Sequence, residues 1–131
     1  LPAPPEAIAI AAPTRPIQTA DLAALLLPDR PTALIAGGAT ITPAVLRAVR
    51  ELGLRIPEDL AVIAYDDTDV TALHSPPLTV VARDVYTIGV HAARLLLTQM
   101  GNAPSSRRKT VTIPTTLIVR GSTGLGREKG G

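Results

Sequence analysis

The sequence has no cysteine and very few aromatic residues, since only two of its 131 residues are Tyr and none is Trp or Phe. Without cysteine, a disulfide framework and thiol chemistry are excluded. A core built without Phe or Trp must consist of Ala, Leu, Val and Ile. No apolar run approaches the roughly 18 residues that a membrane helix needs. These absences leave a protein with an aliphatic core, and the length predicts one domain.

The net charge is only +2, but the basic residues are unevenly distributed. From Arg107 to the end, six Lys or Arg residues face Glu128 alone. A nucleic-acid contact is one interpretation of such a run, and a solvated loop and tail is the other. We favour the solvated loop because no aromatic side chains that could stack on bases are interleaved with these charges.

The most informative stretch runs from Leu60 to Ala64, five apolar residues without alternation. This pattern is typical of a strand buried on both faces of a parallel sheet. Three carboxylates follow it within four residues, Asp66, Asp67 and Asp69. Open α/β sheets bind ligands in the crevice outside the carboxyl ends of their strands. The stretch therefore predicts a buried strand that carries an acidic tip into a cleft.

Strand and helix patterns alternate along the chain, which predicts an α/β fold with right-handed parallel units. The predicted strands are Ile8–Ala11, Thr32–Ala36, Leu60–Ala64, Leu78–Ala82 and a strand split around Pro114 into Val111–Ile113 and Thr116–Val119. The predicted helices are one that begins at Thr19, one from Thr42 to Gly53, a single turn within Val70–Ser75, and Val85–Met100 capped by Asp84.

Three signals mark the ends of these elements. Thr42 is the expected N-cap, with Pro43 at the first helical position, and Gly53 is the expected C-terminal glycine.

The polar, glycine-rich end from Arg120 to Gly131 is expected to be mobile. The sequence starts at Leu1 without a basic-then-apolar leader, so we expect no signal peptide, and we expect a fragment or a processed product.

Five separated motifs carry a resemblance to a known family. They are Arg47–Asp59, Tyr65–Asp67, Pro76–Thr79, Ala92–Leu97 and Val119–Thr123. In this order and spacing they resemble the C-terminal half of the effector-binding domain of lac-repressor-type (LacI/GalR) transcription regulators. The resemblance covers about Pro31 to Thr123.

The resemblance implies a type I periplasmic-binding-protein-like fold of three α/β/α layers, in which two lobes close on a small molecule. It divides the chain into the C-terminal lobe core (1–77), a crossover strand and helix toward the first lobe (78–103), a basic loop with the last strands (104–123) and a flexible tail (124–131). It further implies a cytoplasmic, non-enzymatic sensor and dimerisation domain of a repressor, with no cofactor, no metal and no membrane contact. Its expected partners are a sugar or related metabolite and a second copy, as a homodimer or a domain-swapped oligomer. Operator DNA is expected to be read by a helix-turn-helix outside these residues.

The resemblance also implies site residues. In the effector pocket Asp66 accepts hydrogen bonds from the effector, which suits an ionised carboxylate. The expected pocket residues are Asp66, Thr68, Gly38, Ala39, Ala12 and Tyr65. Gly38 and Ala39 stand where the family often has a polar pair, and Ala12 stands near where some members have an aromatic. The expected dimer interface comprises Val70, Leu73 and His74.

Each of these residues also has a structural interpretation. Asp66 could stabilise a turn, and Asp67 and Asp69 more often have that role. Magnesium binding by the acidic tip is a minor alternative, because no phosphate-binding loop accompanies it. His74 lacks a recognisable nucleophile beside it, and His91 is expected to be packed or at the surface. Tyr65 either orients the tip or stacks on a ligand.

Two other functions remain open at this point. A sugar-binding protein of a transport system shares the expected fold and is the alternative to the regulator. An enzyme that uses the acidic tip with a divalent metal is the third, and we expect no such activity.

Overall fold

The computed structural model describes residues 19–26, 31–101 and 109–124. The predicted strand Ile8–Ala11 and the site residue Ala12 lie outside these ranges. The described elements follow in chain order: α1 (Thr19–Leu26), β1 (Ala33–Ala36), α2 (Thr42–Glu51), β2 (Ala61–Tyr65), α3 (Asp69–Leu73), β3 (Thr79–Arg83), α4 (Val85–Gly101), β4 (Thr115–Ile118) and a 3₁₀ turn, Gly121–Thr123.

The strands form a sheet in the order β1-β2-β3-β4. The first three strands are parallel, with Ala33 beside Ala61 and Ile63 beside Thr79. β4 pairs antiparallel with β3, with Val80 beside Ile118. The α/β fold with a mostly parallel sheet, expected from the alternating patterns, is therefore confirmed.

Strands β2 and β3 begin one residue later than predicted. The side chains of Leu60 and Leu78 are fully buried, as the apolar pattern requires. Their backbone N–H groups, however, donate to the carbonyl of Arg55 in the loop before β2 and to that of Thr71 in α3, and not to a neighbouring strand. Burial extends one residue further than the ladder, which is why the hydrophobic pattern misplaced the boundary.

The core lies between α2 and one face of the sheet. It joins buried side chains of α2, β2 and β3 with the residues that precede these strands: Val45, Ala48, Val49, Leu60, Val62, Ala64, Leu78 and Val80. Along β2, burial alternates, since Val62 and Ala64 are fully buried and Ile63 is half-buried. On β1, Ile35 is 68% exposed. The prediction of strands buried on both faces is wrong for the described residues, because only one face of the sheet is fully covered there.

The start of α2 differs from the predicted cap. Ile41 occupies the N-cap position, and Pro43 lies in the first helical turn. Thr42 is already helical and buried, and its hydroxyl donates to the carbonyl of Gly38 at 3.0 Å. The predicted N-cap at Thr42 is therefore wrong, because its hydroxyl bonds backwards to a carbonyl and not forwards to an N–H group.

The end of α2 is as predicted. Gly53 has φ +69°, in the left-handed region that glycine adopts without steric cost. The N–H of Gly53 donates to the carbonyl of Arg50, and the N–H of Leu54 donates to that of Val49, both at 3.0 Å. These two bonds form the Schellman arrangement that satisfies the last carbonyls of a helix.

Two predictions for the end of the chain are wrong. Val111–Ile113 is not a strand, and β4 begins only after Pro114, whose ring nitrogen has no hydrogen for a ladder bond. The segment from Arg120 is not mobile throughout, because Ser122 is fully buried and its N–H donates to the carbonyl of Pro77 at 3.1 Å. Residues 125–131, including most of the expected flexible tail, lie outside the described ranges.

Helix α4 exposes several apolar side chains. Its first turn is capped by Asp84, whose Oδ1 accepts from the N–H of Thr87 at 2.8 Å. Six large apolar residues of the helix are exposed: Val85, Tyr86, Ile88, Leu96, Leu97 and Met100. None of the helices in the described ranges is long and apolar enough to cross a membrane.

Candidate functional site

The acidic tip lies at the carboxyl end of β2, between the ends of β1 and β3. Asp66 has φ +70°, a left-handed conformation that Asp tolerates better than most residues. Its N–H still donates to the carbonyl of Val81 at 3.0 Å. The strand therefore ends in a sharp turn, and the two adjacent carboxylates bind different partners.

Asp66 forms a two-point ion pair with Arg83, the last residue of β3. Nε of Arg83 donates to Oδ1 and Nη2 donates to Oδ2, each at 2.6 Å. The Asp66 side chain is 17% exposed and that of Arg83 is 40% exposed. The hydrogen bond from Arg83 lowers the pKa of Asp66 against the opposing effect of burial, so the carboxyl is ionised at neutral pH.

Tyr65 supports this pair from the strand itself. The guanidinium carbon of Arg83 lies 5.5 Å from the centre of the Tyr65 ring, within the range of a cation–π contact. Arg83 is thus held by a carboxylate and by an aromatic ring. Of the two roles left open for Tyr65, orientation of the tip fits this contact.

Asp67 is paired with a different arginine from the end of the chain. Nη1 of Arg120 donates to Oδ1 at 2.8 Å, and Nη2 donates to Oδ2 at 2.6 Å. The hydrogen bond from Arg120 lowers the pKa of Asp67, and a bond from the Thr71 hydroxyl adds to this effect. Asp67 therefore has the partners of a structural residue, although the partner is Arg120, 53 positions away, and not its own backbone.

Thr68 lies next to the tip at the N-cap of α3. Its N–H donates to the hydroxyl oxygen of Thr71 at 2.8 Å, and that hydroxyl lies 2.7 Å from the carbonyl oxygen of Thr68. The short helix α3 is thereby fixed directly behind the acidic tip. Thr68 keeps a defined position beside Asp66.

Gly38 and Ala39 follow β1 at the same edge of the sheet, because β1 and β2 are parallel. The carbonyl of Gly38 accepts from the N–H groups of Ile41 and Thr42, both at 3.0 Å. Ala39 is exposed. The sheet therefore brings five of the six expected pocket residues to one edge, and the sixth, Ala12, lies outside the described residues.

The expected dimer residues lie elsewhere. Val70 and Leu73 of α3 are exposed, Leu73 by 83%. Nδ1 of His74 donates to the carbonyl of Pro76 at 2.8 Å, so this nitrogen carries the proton. Val70 and His74 line an open cavity of about 900 Å³ together with residues of α2 and of the loop after it, among them Leu46, Arg47, Arg50 and Ile56. This cavity is a groove between α2 and α3, separate from the acidic tip.

The described residues contain no group of three or more His, Asp or Glu side chains that could hold a metal ion. His91 is half-buried on α4, where it lines a small apolar hollow with Ile88, Leu95, Val111 and Ile113. This environment fits the first of the two expected roles, a packed or a surface histidine.

Sequence reasoning missed Arg83 and Arg120. Arg83 could have been found with the rule that located Asp66, because it ends the strand that pairs with β2 in parallel. Arg120 was noted as part of a basic run and of the Val119–Thr123 motif, and no partner was predicted for it. Its ion pair depends on β4 folding back beside β3, which periodicity alone does not predict.

Known proteins resemble this chain in sequence and in fold. The family described as "Periplasmic binding protein-like domain" matches residues 2–123. A probable opine utilization operon repressor of Rhizobium rhizogenes is 36% identical over 95 residues, which are 72% of this chain and 48% of that protein. The HTH-type transcriptional repressor CytR of Escherichia coli is 39% identical over 98 residues, 74% of this chain and 28% of the repressor.

A solved structure of the transcriptional regulator CelR with cellobiose is 33% identical, with a TM-score of 0.65. The match covers 79% of this chain and 31% of that one. This chain therefore spans about half, or less, of the length of these relatives.

Proposed function

Because this chain belongs to the periplasmic binding protein-like domain family, we propose that it is the effector-sensing and dimerisation part of a lac-repressor-type transcription regulator. Its relatives named above are transcriptional repressors and regulators, which favours the regulator over a sugar-binding protein of a transport system. The proposal includes no enzymatic activity. A regulator that reads DNA works in the cytoplasm, and this localisation belongs to the proposal.

The position of Asp66 carries the proposal. An ionised carboxylate at the carboxyl end of a central parallel strand is placed to accept hydrogen bonds from an effector in the crevice above the sheet. Thr68, Tyr65, Gly38 and Ala39 would line that crevice, with Ala12 from the segment before the described residues. The remaining wall would come from the first lobe of such regulators.

The division of the chain follows from the same proposal. Residues 1–77 would form the core of the C-terminal lobe, and residues 78–103 would cross to the first lobe. The exposed apolar side chains of α4 support this crossover, because a first lobe would cover them. Residues 104–123 would supply the basic loop and the last strand, and 124–131 a flexible tail.

Dimerisation is proposed for the groove between α2 and α3. Val70 lines this groove, Leu73 is exposed on the same helix, and the ring of His74 is held in place by Pro76. A second copy would bury these side chains. Operator DNA would be bound by a helix-turn-helix that these 131 residues do not contain, so we expect this chain alone not to bind operator sequences specifically.

Titration calorimetry with a panel of mono- and disaccharides and related metabolites tests the sensing function. We expect one compound to bind and Asp66→Asn to weaken it by about 1.5–3 kcal/mol, the value of a hydrogen bond to a charged group. Asp69→Asn, a change of the same kind on the exposed first turn of α3, is the matched control and should bind normally. Equal affinity of the wild-type protein and the Asp66→Asn variant would show that Asp66 does not contact the effector.

A further inference from the structure

The orientation of Arg83 leaves part of its guanidinium group available. A guanidinium group has five N–H donors and two edges that can each grip a carboxylate with two parallel bonds. Asp66 occupies the edge formed by Nε and Nη2. Within the described part of the chain, the second edge, formed by Nη1 and Nη2, has no bonded protein acceptor.

The available edge is held in a fixed direction. Arg83 is fixed on one side by Asp66 and stacks on Tyr65, while 40% of its side chain remains exposed. A donor group that is already oriented loses little conformational freedom when it binds a ligand. The edge is therefore preorganised on a side chain that remains partly exposed.

The charges around this edge do not repel an anion strongly. Arg83 balances Asp66, and Arg120 balances Asp67. The neighbouring Asp84 has both oxygens bonded to Thr87 at the start of α4. Two of the three carboxylates of the acidic tip, Asp66 and Asp67, are neutralised by these ion pairs.

We propose that Arg83 determines the effector class, and that the effector carries a carboxylate which binds the Nη1–Nη2 edge. A neighbouring hydroxyl or ammonium group of the same molecule donates to the lone pairs of Asp66 that Arg83 leaves unused. This specificity, which rests on the proposed sensing function, selects sugar acids or amino-acid-like metabolites over neutral sugars. A role of Arg83 only in neutralising Asp66 is the competing explanation.

Matched pairs of ligands separate the two explanations. Titration calorimetry on the 131-residue chain compares D-glucose with D-glucuronate, D-galactose with D-galacturonate, and D-ribose with D-ribonate. We expect the acid of at least one pair to bind about tenfold or more tighter than its sugar, the size of one charge-assisted bond pair. Arg83→Gln should abolish the preference, and Arg83→Lys should retain only part of it because lysine lacks the planar fork.

Arg94→Gln is the matched control, because Arg94 is an exposed arginine on α4. It removes the same charge and should preserve the preference. Preference for a neutral sugar, or a preference for the acid that survives Arg83→Gln, would overturn the proposal.

A second measurement does not depend on the choice of sugar. The side-chain nitrogen resonances of Arg83, assigned by comparison with Arg83→Lys, are followed by NMR during titration with acetate and, in parallel, with neutral acetamide. We expect a saturable shift with acetate alone. No shift, together with no binding of any acid, overturns the proposal.

The two proposals can fail separately. Binding of a neutral sugar that Asp66→Asn weakens would preserve the sensing function and overturn the carboxylate specificity. If no compound binds and the Arg83 resonances do not move, both are contradicted.

Discussion

The hydroxyl of Ser122 connects two strands: it donates to the carbonyl of Val62 on β2 at 2.5 Å and accepts from the N–H of Thr79 on β3 at 2.8 Å. Ser122 and Val62 are 60 positions apart in the sequence. The direct pairing of β2 with β3 begins at Ile63 and Thr79, so the hydroxyl extends the ladder by one step. The end of the chain thereby holds the strands that carry Asp66 and Arg83.

Replacement of this hydroxyl should destabilise the fold. Ser122→Ala leaves a buried N–H and a buried carbonyl without their partner, which costs about 1–3 kcal/mol. Urea unfolding followed by circular dichroism measures the change in the free energy of unfolding. Thr110→Ala removes a hydroxyl from an exposed residue and should change this free energy by less than about 0.5 kcal/mol. An equal effect of both substitutions would show that the bridge contributes nothing.

Two glycines should respond to alanine with opposite signs. A Cβ at Gly121 would lie 2.8 Å from Cβ of Pro76, so Gly121→Ala must displace the 3₁₀ turn and should cost about 1–3 kcal/mol. Gly89 lies inside α4 with open space around the same position, so Gly89→Ala should stabilise by about 0.5–1 kcal/mol through helix propensity. The same unfolding experiment measures both. A neutral Gly121→Ala would contradict the close approach to Pro76.

The ion pairs of the acidic tip should make the stability of the fold depend on pH in the acidic range. The pKa values of Asp66 and Asp67 are lowered in the folded protein, above all by hydrogen bonds from Arg83 and Arg120 respectively. A carboxyl whose pKa is lower in the folded than in the unfolded protein stabilises the fold at pH values above its unfolded pKa, which is about 3.9 for Asp. This stability is lost as the pH falls through the pKa of the folded protein. We therefore expect the free energy of unfolding to decrease as the pH is lowered below about 4.

Carbonyl-carbon NMR of the two carboxyl groups measures these pKa values directly. Arg120→Gln should raise the pKa of Asp67 and leave that of Asp66 unchanged, and Arg83→Gln should do the reverse. A titration in which either variant shifts both carboxyls equally would contradict the separate pairing.

Self-association distinguishes the two apolar surfaces. Leu73 is 83% exposed in the single chain. If the dimer forms at α3 and the groove beside it, Leu73→Glu should shift the chain toward monomer in sedimentation velocity, because the dimer would bury the new charge. Leu97→Glu makes the same change on α4 and should leave that dimer intact. The opposite result would assign self-association to the exposed face of α4.

Much of the fold could be predicted from the sequence, because the local signals were strong. Gly53 ends α2 through a left-handed conformation, and Asp84 caps α4, and both depend on residues within five positions of each other. One local prediction, the N-cap at Thr42, was wrong. Thr42 has a typical N-cap sequence, yet its hydroxyl bonds to Gly38, because the preceding turn already starts the helix at Ile41.

The candidate site was predicted only in part. Asp66 was placed at a strand tip, and the sheet puts it there, but no local pattern indicated that Arg83 would hold it in a two-point ion pair. The burial of β1 and β2 was overestimated, because an apolar run gives the hydrophobicity of a strand and not the identity of what covers each face.

The sequence by itself determined most of the described helices and strands, the motifs that carry the family resemblance, and the aspartate at the end of the central strand. These depend on side-chain periodicity and backbone preference, which act over a few residues. Only the tertiary structure decided that Arg83 pairs with Asp66, that Arg120 pairs with Asp67, and that Ser122 bridges β2 and β3. Those contacts join residues 17 to 60 positions apart, and they form only when the sheet brings its strand ends together.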